Sequence, residues 1–291
     1  MKKEIFEKRT TAQRVVFVIV FVLFVVYAVS LLYPFIWSFY NSLKVDEVAY
    51  NKNSFALPSK VTFQNYAKVF TDFKCEGVGI FRMFLNSVLL VLLTTVFAVV
   101  GSSCAAYVVS KFKFFGSKFI YTAAVFIMVV PTAGLTPALY QILAKRELTN
   151  SIIVCSMIQG GCFGMYFMLM YGTFKTLSWT YAEAGYMDGA NDFTIFFRIM
   201  MPQVWGQVFA LSLVCAIGIW NDYYYPWVFM PKKPTISTGL YTYQTELIDS
   251  NDQNHPLYFA TLLICCIPIL IVFTCFQNTL MNNTSAGGIK G

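Results

Sequence analysis

Histidine, cysteine and paired carboxylates carry most enzyme and metal chemistry, and this sequence spaces them for none of it. His255 is the sole histidine and no Cys-x-x-Cys pair accompanies it, so no zinc ligand set is expected, nor any other metal site. Of the eight cysteines, Cys104, Cys155, Cys162, Cys215, Cys265, Cys266 and Cys275 fall inside apolar runs, and Cys75 alone lies in a polar stretch. They read as small buried thiols, not as a disulfide framework. There are no paired acids and no Gly-x-Ser-x-Gly elbow for acyl transfer. The Gly-x-x-x-x-Gly-Lys-Ser/Thr phosphate loop is missing too, so any ATP would have to be hydrolysed by another polypeptide.

Two places keep chemical interest. The first is Trp220-Asn221-Asp222-Tyr223, continuing to Tyr225. A carboxylate within an apolar span is costly and normally faces a partner or a cavity. The donors and ring faces around Asp222 suit a pathway or gate. The same cluster also fits the water interface of a span, where such residues are routine. Spacing leaves both open.

The second is Leu177 to Pro202, LSWTYAEAGYMDGANDFTIFFRIMMP, too polar to span and patterned as two short helices. Thr180 with Glu183 has the form of a capping box. Asp188-Gly189 supplies a stop and turn. Asn191 or Asp192 can cap a second helix, in which Phe193, Phe196, Phe197, Met200 and Met201 share one apolar face. Such a face must bury itself against the membrane domain or a partner. The expectation is a rigid helix–turn–helix suited to docking, although an ordinary interfacial helix would look similar.

The elements that position these residues are set by composition. The chain has 291 residues, 57% hydrophobic and 12% charged, with a mean hydropathy of +0.61. A soluble domain cannot bury that much apolar surface, so lipid is the expected solvent. The formal charge of +7 fits basic loops that orient membrane proteins, and nothing resembles a nucleic-acid groove.

Six runs are long enough for a bilayer crossing: Val15–Phe39, Met83–Val109, Phe119–Leu143, Ile152–Phe174, Val204–Phe229 and Pro256–Gln277. The expected division is an N-terminus of residues 1–14, a membrane domain of residues 15–279 and a tail of residues 280–291. The long first run ends in Tyr33-Pro34-Phe35-Ile36-Trp37 and reads as a retained helix, not a cleaved signal peptide. Lysines and arginines before it, and Lys111, Lys113 and Lys118 after the second run, place both termini in the cytoplasm. Pro131 and Pro137 interrupt the third run, and such breaks face protein or a wet cavity or simply adjust shape. Gly160, Gly161 and Gly164 in the fourth allow close helix approach.

The 177–202 segment resembles the cytoplasmic signature of the membrane subunits of ABC importers: Glu-Ala-Ala, three residues, Gly, nine residues, Ile, any residue, Leu, Pro. Here Glu183-Ala184-Gly185, Gly189, Ile199, Met201 and Pro202 stand at matching spacing, with Gly185 in place of alanine and Met201 in place of leucine. Asp188-Gly189-Ala190 and Phe197 look like the carbohydrate branch. Further similarity lies in Asn86-Ser87, Ala105-Ala106-Tyr107, Pro131, Pro137-Ala138-Leu139-Tyr140 and Trp220 to Tyr223. The ending Ser285 to Gly291 is similar to that of maltose-type permeases, though Asn278 and Asn283 replace the usual arginine and glycine.

The resemblance implies an all-α, six-helix type I importer permease in the cell membrane. It implies a second homologous permease, two ATPase subunits that use ATP and Mg, and an external sugar-binding protein. Glu183, Ala184, Gly185, Asp188, Gly189, Ala190, Ile199 and Pro202 would form a coupling helix seated on the ATPase. Asn86, Pro131, Pro137, Trp220, Asn221, Asp222 and Tyr223 would lie along the translocation pathway, and Lys290 would contact the ATPase interface. A secondary transporter, the competing reading, favours ionisable residues in several spans and a repeat between halves; only Asp222 lies well inside a span and no clear repeat is seen. A membrane enzyme ranks last.

Overall fold

The computed structural model describes residues 11–130, 133–249 and 254–284. In chain order the helices are α1 (Thr11–Ser42), α2 (Glu47–Lys52) and α3 (Gln64–Thr71), followed by a two-strand hairpin, β1 (Lys74–Cys75) and β2 (Val78–Gly79). Next come α4 (Ile80–Thr95), a π-turn at Val96–Val100, α5 (Gly101–Lys111), α6 (Ser117–Val129), α7 (Thr136–Lys145), α8 (Ile152–Gln159) and α9 (Met165–Thr176). Then follow α10 (Thr180–Met187), α11 (Asp192–Thr194), a second π-turn at Ile195–Met200, α12 (Met201–Gln203), α13 (Trp205–Asn221), α14 (Tyr224–Phe229), α15 (Ile236–Asp249) and α16 (His255–Thr284). The helical class stands; the hairpin is the small departure from it.

Three stretches are long and apolar enough to cross a bilayer as single helices: Thr11–Ser42, Ile80–Lys111 and His255–Gln277. The other three expected runs are each split. The third divides into α6 and α7, with Pro137 in the first turn of α7, where its missing N–H costs nothing. Pro131 lies outside the described residues. The fourth divides into α8 and α9 around Gly164, whose φ of 148° is closed to residues with a Cβ. The fifth begins at Trp205 after a 78° bend from the helical stretch Asp192–Gln203 and ends at Asn221, not at Phe229. Read as one bent span, that pair brings the crossings of sufficient length to four among the described residues.

The paired helices α4–α5 run from the hairpin to Lys111, about 48 Å at 1.5 Å per residue, and so define two ends. At the hairpin end, polar side chains meet backbone groups left over by the helices. The Asn65 amide donates to the carbonyls of Ser42 (2.8 Å) and Lys44 (2.7 Å), satisfying the open C-terminus of α1. Glu47 accepts from the His255 N–H and pairs with its Nδ1, both at 2.7 Å, at the start of α16, while Tyr50 stacks on the imidazole. Among the described residues, nearly every large apolar side chain at positions 15–36 of α1 is about half exposed or more. In water that surface would aggregate; it belongs against lipid or another membrane chain.

The core continues through the middle of the bundle. The π-turn at Val96–Val100 packs against the gap between α8 and α9, where the Ser102 hydroxyl donates to the Cys162 carbonyl at 3.0 Å. Gly160 makes that approach possible: a Cβ there would lie 2.7 Å from Cβ of Phe97 and 3.0 Å from the Thr94 carbonyl. At Gly161 a Cβ would meet nothing within 4 Å. The packing role expected for these glycines thus falls on Gly160, and Gly164 serves the backbone turn. Gly160→Ala should therefore destabilise the protein by about 1–3 kcal/mol through overpacking, while Gly161→Ala should be nearly neutral. Thermal unfolding in detergent, followed by tryptophan fluorescence, checks the pair.

Candidate functional site

The polar segment does fold as two limbs joined by a tight turn. The first limb, α10, starts at Thr180 itself, with Trp179 before it already in helical conformation. The expected capping box is not formed. The Ser178 hydroxyl instead accepts the Thr180 N–H and contacts the Thr180 hydroxyl, and the Glu183 N–H goes to the Trp179 carbonyl. Thr180 lies one position too far inside the helix to cap it.

The turn forms where the sequence placed it. Gly189 has φ of 77°; its N–H donates to the Tyr186 carbonyl, and the Ala190 N–H donates to the Gly185 carbonyl, both at 3.0 Å. This is a Schellman closure around a left-handed glycine. Asn191 caps the second limb, accepting the Thr194 N–H at 2.8 Å. Tyr186 then ties the limbs together by donating to Asp192 at 2.5 Å. That bond, with some burial, pushes the Tyr186 hydroxyl up to about 12, so it remains a donor throughout the physiological range.

The apolar face of the second limb differs from the expected one. Ile195, Phe196, Met200 and Met201 are buried, whereas Phe193 and Phe197 are 76% and 53% exposed. The split falls across the π-turn at Ile195–Met200, whose wider turn takes this face out of α-helical register. Inside the elbow, Ala182 and Gly185 are buried. A Cβ on Gly185 would lie 2.6 Å from Cδ1 of Ile199, so isoleucine fills the room that alanine would need.

The elbow is bolted to the bundle. The Phe196 ring sits 4.7 Å from Tyr107 of α5 and 6.3 Å from Phe174 of α9, and those two rings meet each other at 5.4 Å. Trp179 packs edge-on to Phe112 at 5.8 Å, and Lys111 donates its ammonium to the Leu177 carbonyl. Pro202 lies in α12, beyond which Val204 carries the sharp bend into α13. The opposite face is free: Tyr181, Glu183, Ala184, Met187, Asp188 and Gly189 are exposed and Ala190 half-buried. Met187, 87% exposed, was not singled out from the sequence. Its position one residue before the stop, on the face of Glu183, was the available signal.

The second cluster lies at the hairpin end. Asp222 terminates α13 and accepts the Tyr224 N–H at 3.0 Å, starting α14. It therefore sits at a helix junction and not within a continuous span. Trp220 packs against Phe84 at 5.8 Å, the exposed Asn221 donates to the Ile217 carbonyl, and Tyr223 stacks on Tyr241 at 4.2 Å. Ser237 donates to the Trp220 carbonyl and Thr238 to that of Tyr223. Asn86 is buried and donates to the Pro234 carbonyl at 3.0 Å, while Ser87 accepts the Ile236 N–H at 2.9 Å; both hold α15 in place. Lys290 lies outside the described residues, and among those residues no cluster of three or more metal-ligating side chains occurs.

Residues 98–284, spanning the elbow and both helices it grips, match the model of a protein family described as the binding-protein-dependent transport system inner membrane component. The chain belongs to that family. Among relatives of this inner-membrane component is the diacetylchitobiose uptake system permease protein NgcG of Streptomyces coelicolor, 26% identical over 92% of this chain and 87% of that protein. Another is the arabinooligosaccharides transport system permease protein AraQ of Halalkalibacterium halodurans, 26% identical over 80% of this chain and 81% of the other. The fold is similar to a chain in the crystal structure of a bacterial ABC transporter involved in the import of the acidic polysaccharide alginate. That likeness has a TM-score of 0.73 at 24% identity and covers 93% of this chain and 98% of that one.

The turn of the elbow gives a direct check. Gly189→Val forces a β-branched residue into left-handed backbone and should cost about 1–2 kcal/mol locally, whereas Gly189→Asn should cost less. Amide hydrogen exchange across residues 185–195 should rise markedly in the valine variant and only slightly in the asparagine variant.

Proposed function

We propose that this inner-membrane component forms half of the translocation pathway of an ATP-driven importer for a sugar or oligosaccharide. The observation that carries the reading is the two-faced elbow. Its inner face is locked into α5 and α9 by Phe196, and its outer face presents Glu183, Ala184, Met187 and Asp188 without any partner from the described chain. A docked ATPase would push on that outer face, and the rings would pass the displacement to the spanning helices. This is a two-state element biased by a partner, as alternating access requires.

In this reading the partners are a second permease, two ATPase subunits that bind ATP and Mg, and an external sugar-binding protein. Both termini and the elbow lie in the cytoplasm, consistent with the basic residues at Lys111, Lys113 and Lys118 beside it. The relatives named for diacetylchitobiose uptake and arabinooligosaccharides transport support a carbohydrate as cargo. The hairpin-end cluster of Trp220, Asn221, Asp222 and Tyr223 offers ring faces and hydrogen-bonding groups to a passing sugar. Asn86 and Pro137 serve this pathway indirectly, through the placement of α15 and the start of α7. The C-terminal tail with Lys290 reaches the ATPase. Membership of the transport family lends no support to the ion-coupled alternative.

Glu183→Lys is the test. Reversing that charge should weaken association with the co-expressed ATPase at least about tenfold, as expected for a lost charge-assisted contact, and abolish sugar uptake. Co-purification and radiolabelled uptake measure the two effects. Retention of both would end the coupling assignment.

A further inference from the structure

At the hairpin end, residues 48–71 contain Lys52, Lys60 and Lys68 and no aspartate or glutamate. The two acids just before them are engaged elsewhere: Asp46 accepts the Ala49 N–H at 2.9 Å, and Glu47 pairs with His255. The same stretch presents large apolar side chains to the outside, with Phe55, Leu57, Val61 and Phe63 each 60–76% exposed. Lys52 and Lys60 are exposed among them and make no ion pair among the described residues. A loop surrounded by water alone would not carry such a face.

Hydrogen bonds fix the depth at which this face is held. The Asn41 amide donates to the Ser54 carbonyl at 3.0 Å, the Lys44 ammonium to that of Asn53 at 2.7 Å, and the Tyr40 hydroxyl to that of Phe55 at 3.3 Å. The Thr62 N–H donates to the Leu43 carbonyl at 2.9 Å, so both ends of the 56–61 tip are tied to the end of α1. The apolar run of α1 from Val15 to Phe39 covers about 37 Å at 1.5 Å per residue, somewhat more than the roughly 30 Å of hydrocarbon in a bilayer. Its last turns, where Ser38, Asn41 and Ser42 appear, therefore lie at the headgroup level, with the loop pinned beside them. At that depth apolar side chains enter the acyl boundary while lysines reach phosphate oxygens. A protein docking face would be poor in lysine; this charge balance complements an anionic lipid surface.

We propose that the 55–63 loop inserts into the bilayer interface at the hairpin end, with Lys52 and Lys60 paired to anionic phospholipid headgroups. Leu57 and Val61 at its tip supply the apolar contact with the acyl chains. Such an anchor holds the hairpin end at a fixed depth while the elbow end moves, and the bond between Glu47 and His255 carries that hold to the start of α16. The proposal needs only a chain that spans the membrane; it does not depend on the coupling role of the elbow.

The test uses the full chain in nanodiscs of mixed phosphatidylcholine and phosphatidylglycerol, with Leu57→Trp read as the emission gained over the parent protein. Either phosphatidylglycerol or phosphatidylcholine is replaced, at the same mole fraction, by a form brominated on its acyl chains as a contact quencher. Brominated phosphatidylglycerol should quench the added emission at least about twofold more than brominated phosphatidylcholine, as lysines at an anionic surface require. Lys52→Gln together with Lys60→Gln should erase that preference, and high salt should do the same. Thermal unfolding in detergent, where anionic lipid is absent, should match the parent and so controls for misfolding. No quenching by either lipid, equal quenching by both, or a preference that survives the loss of both lysines would overturn the proposal. Shielding of the added tryptophan only when an external sugar-binding protein is supplied would overturn it too, because a protein would then be the occupant. Uptake and ATPase association are read separately, so this anchor can fail while the coupling elbow stands.

Discussion

The packing of one ring, Phe196, against both Tyr107 and Phe174 joins the elbow to the spanning helices. Ala182, Ile195, Met200 and Met201 are buried in the same core, and a lysine–carbonyl hydrogen bond and an edge-on tryptophan add to the grip. With it, the elbow, α5 and α9 share one close-packed core, and packed cores shift between discrete arrangements instead of deforming smoothly. A push on the exposed face of α10 must therefore either move those helices or open a void beneath Phe196, and voids are expensive.

That constraint accounts for several oddities of the chain. A regular α-helix through residues 192–203 would keep Phe193, Phe196, Phe197, Met200 and Met201 on one face. The π-turn instead turns Phe196 and Met200 inward and leaves Phe193 and Phe197 outside. Gly185 replaces the alanine of the related signature because Ile199 and Ile195 press against it. The left-handed Gly189 folds the limbs closely enough for Tyr186 to reach Asp192. Each feature breaks local regularity, and each shapes the same junction.

The breaks in the spans have a parallel logic. Helical interruptions in a membrane protein must find new partners for freed backbone groups. Here they face one another: the π-turn at Val96–Val100 lies against the gap between α8 and α9, where Ser102 supplies a hydrogen bond to the Cys162 carbonyl. At the hairpin end, Asn65, Ser237 and Thr238 take up carbonyls at helix ends and turns in the same way.

Composition and hydropathy determined on their own that this is a helical, multi-pass membrane protein, because no arrangement in water could bury so much apolar surface. Spacing determined the elbow, since a glycine stop and an asparagine cap are local chemistry, written within a few residues. It could not decide where the helices break: an apolar run reads the same whether continuous or split, and the split at Gly164 depends on what packs opposite. Nor could it place Asp222, which sits at a helix junction and not within a span, or foresee that Thr180 would be drawn one turn position too deep to cap. Which of five apolar residues turn inward was left to tertiary structure as well, because the rings that Phe196 packs against, Tyr107 and Phe174, come from helices far away in the sequence.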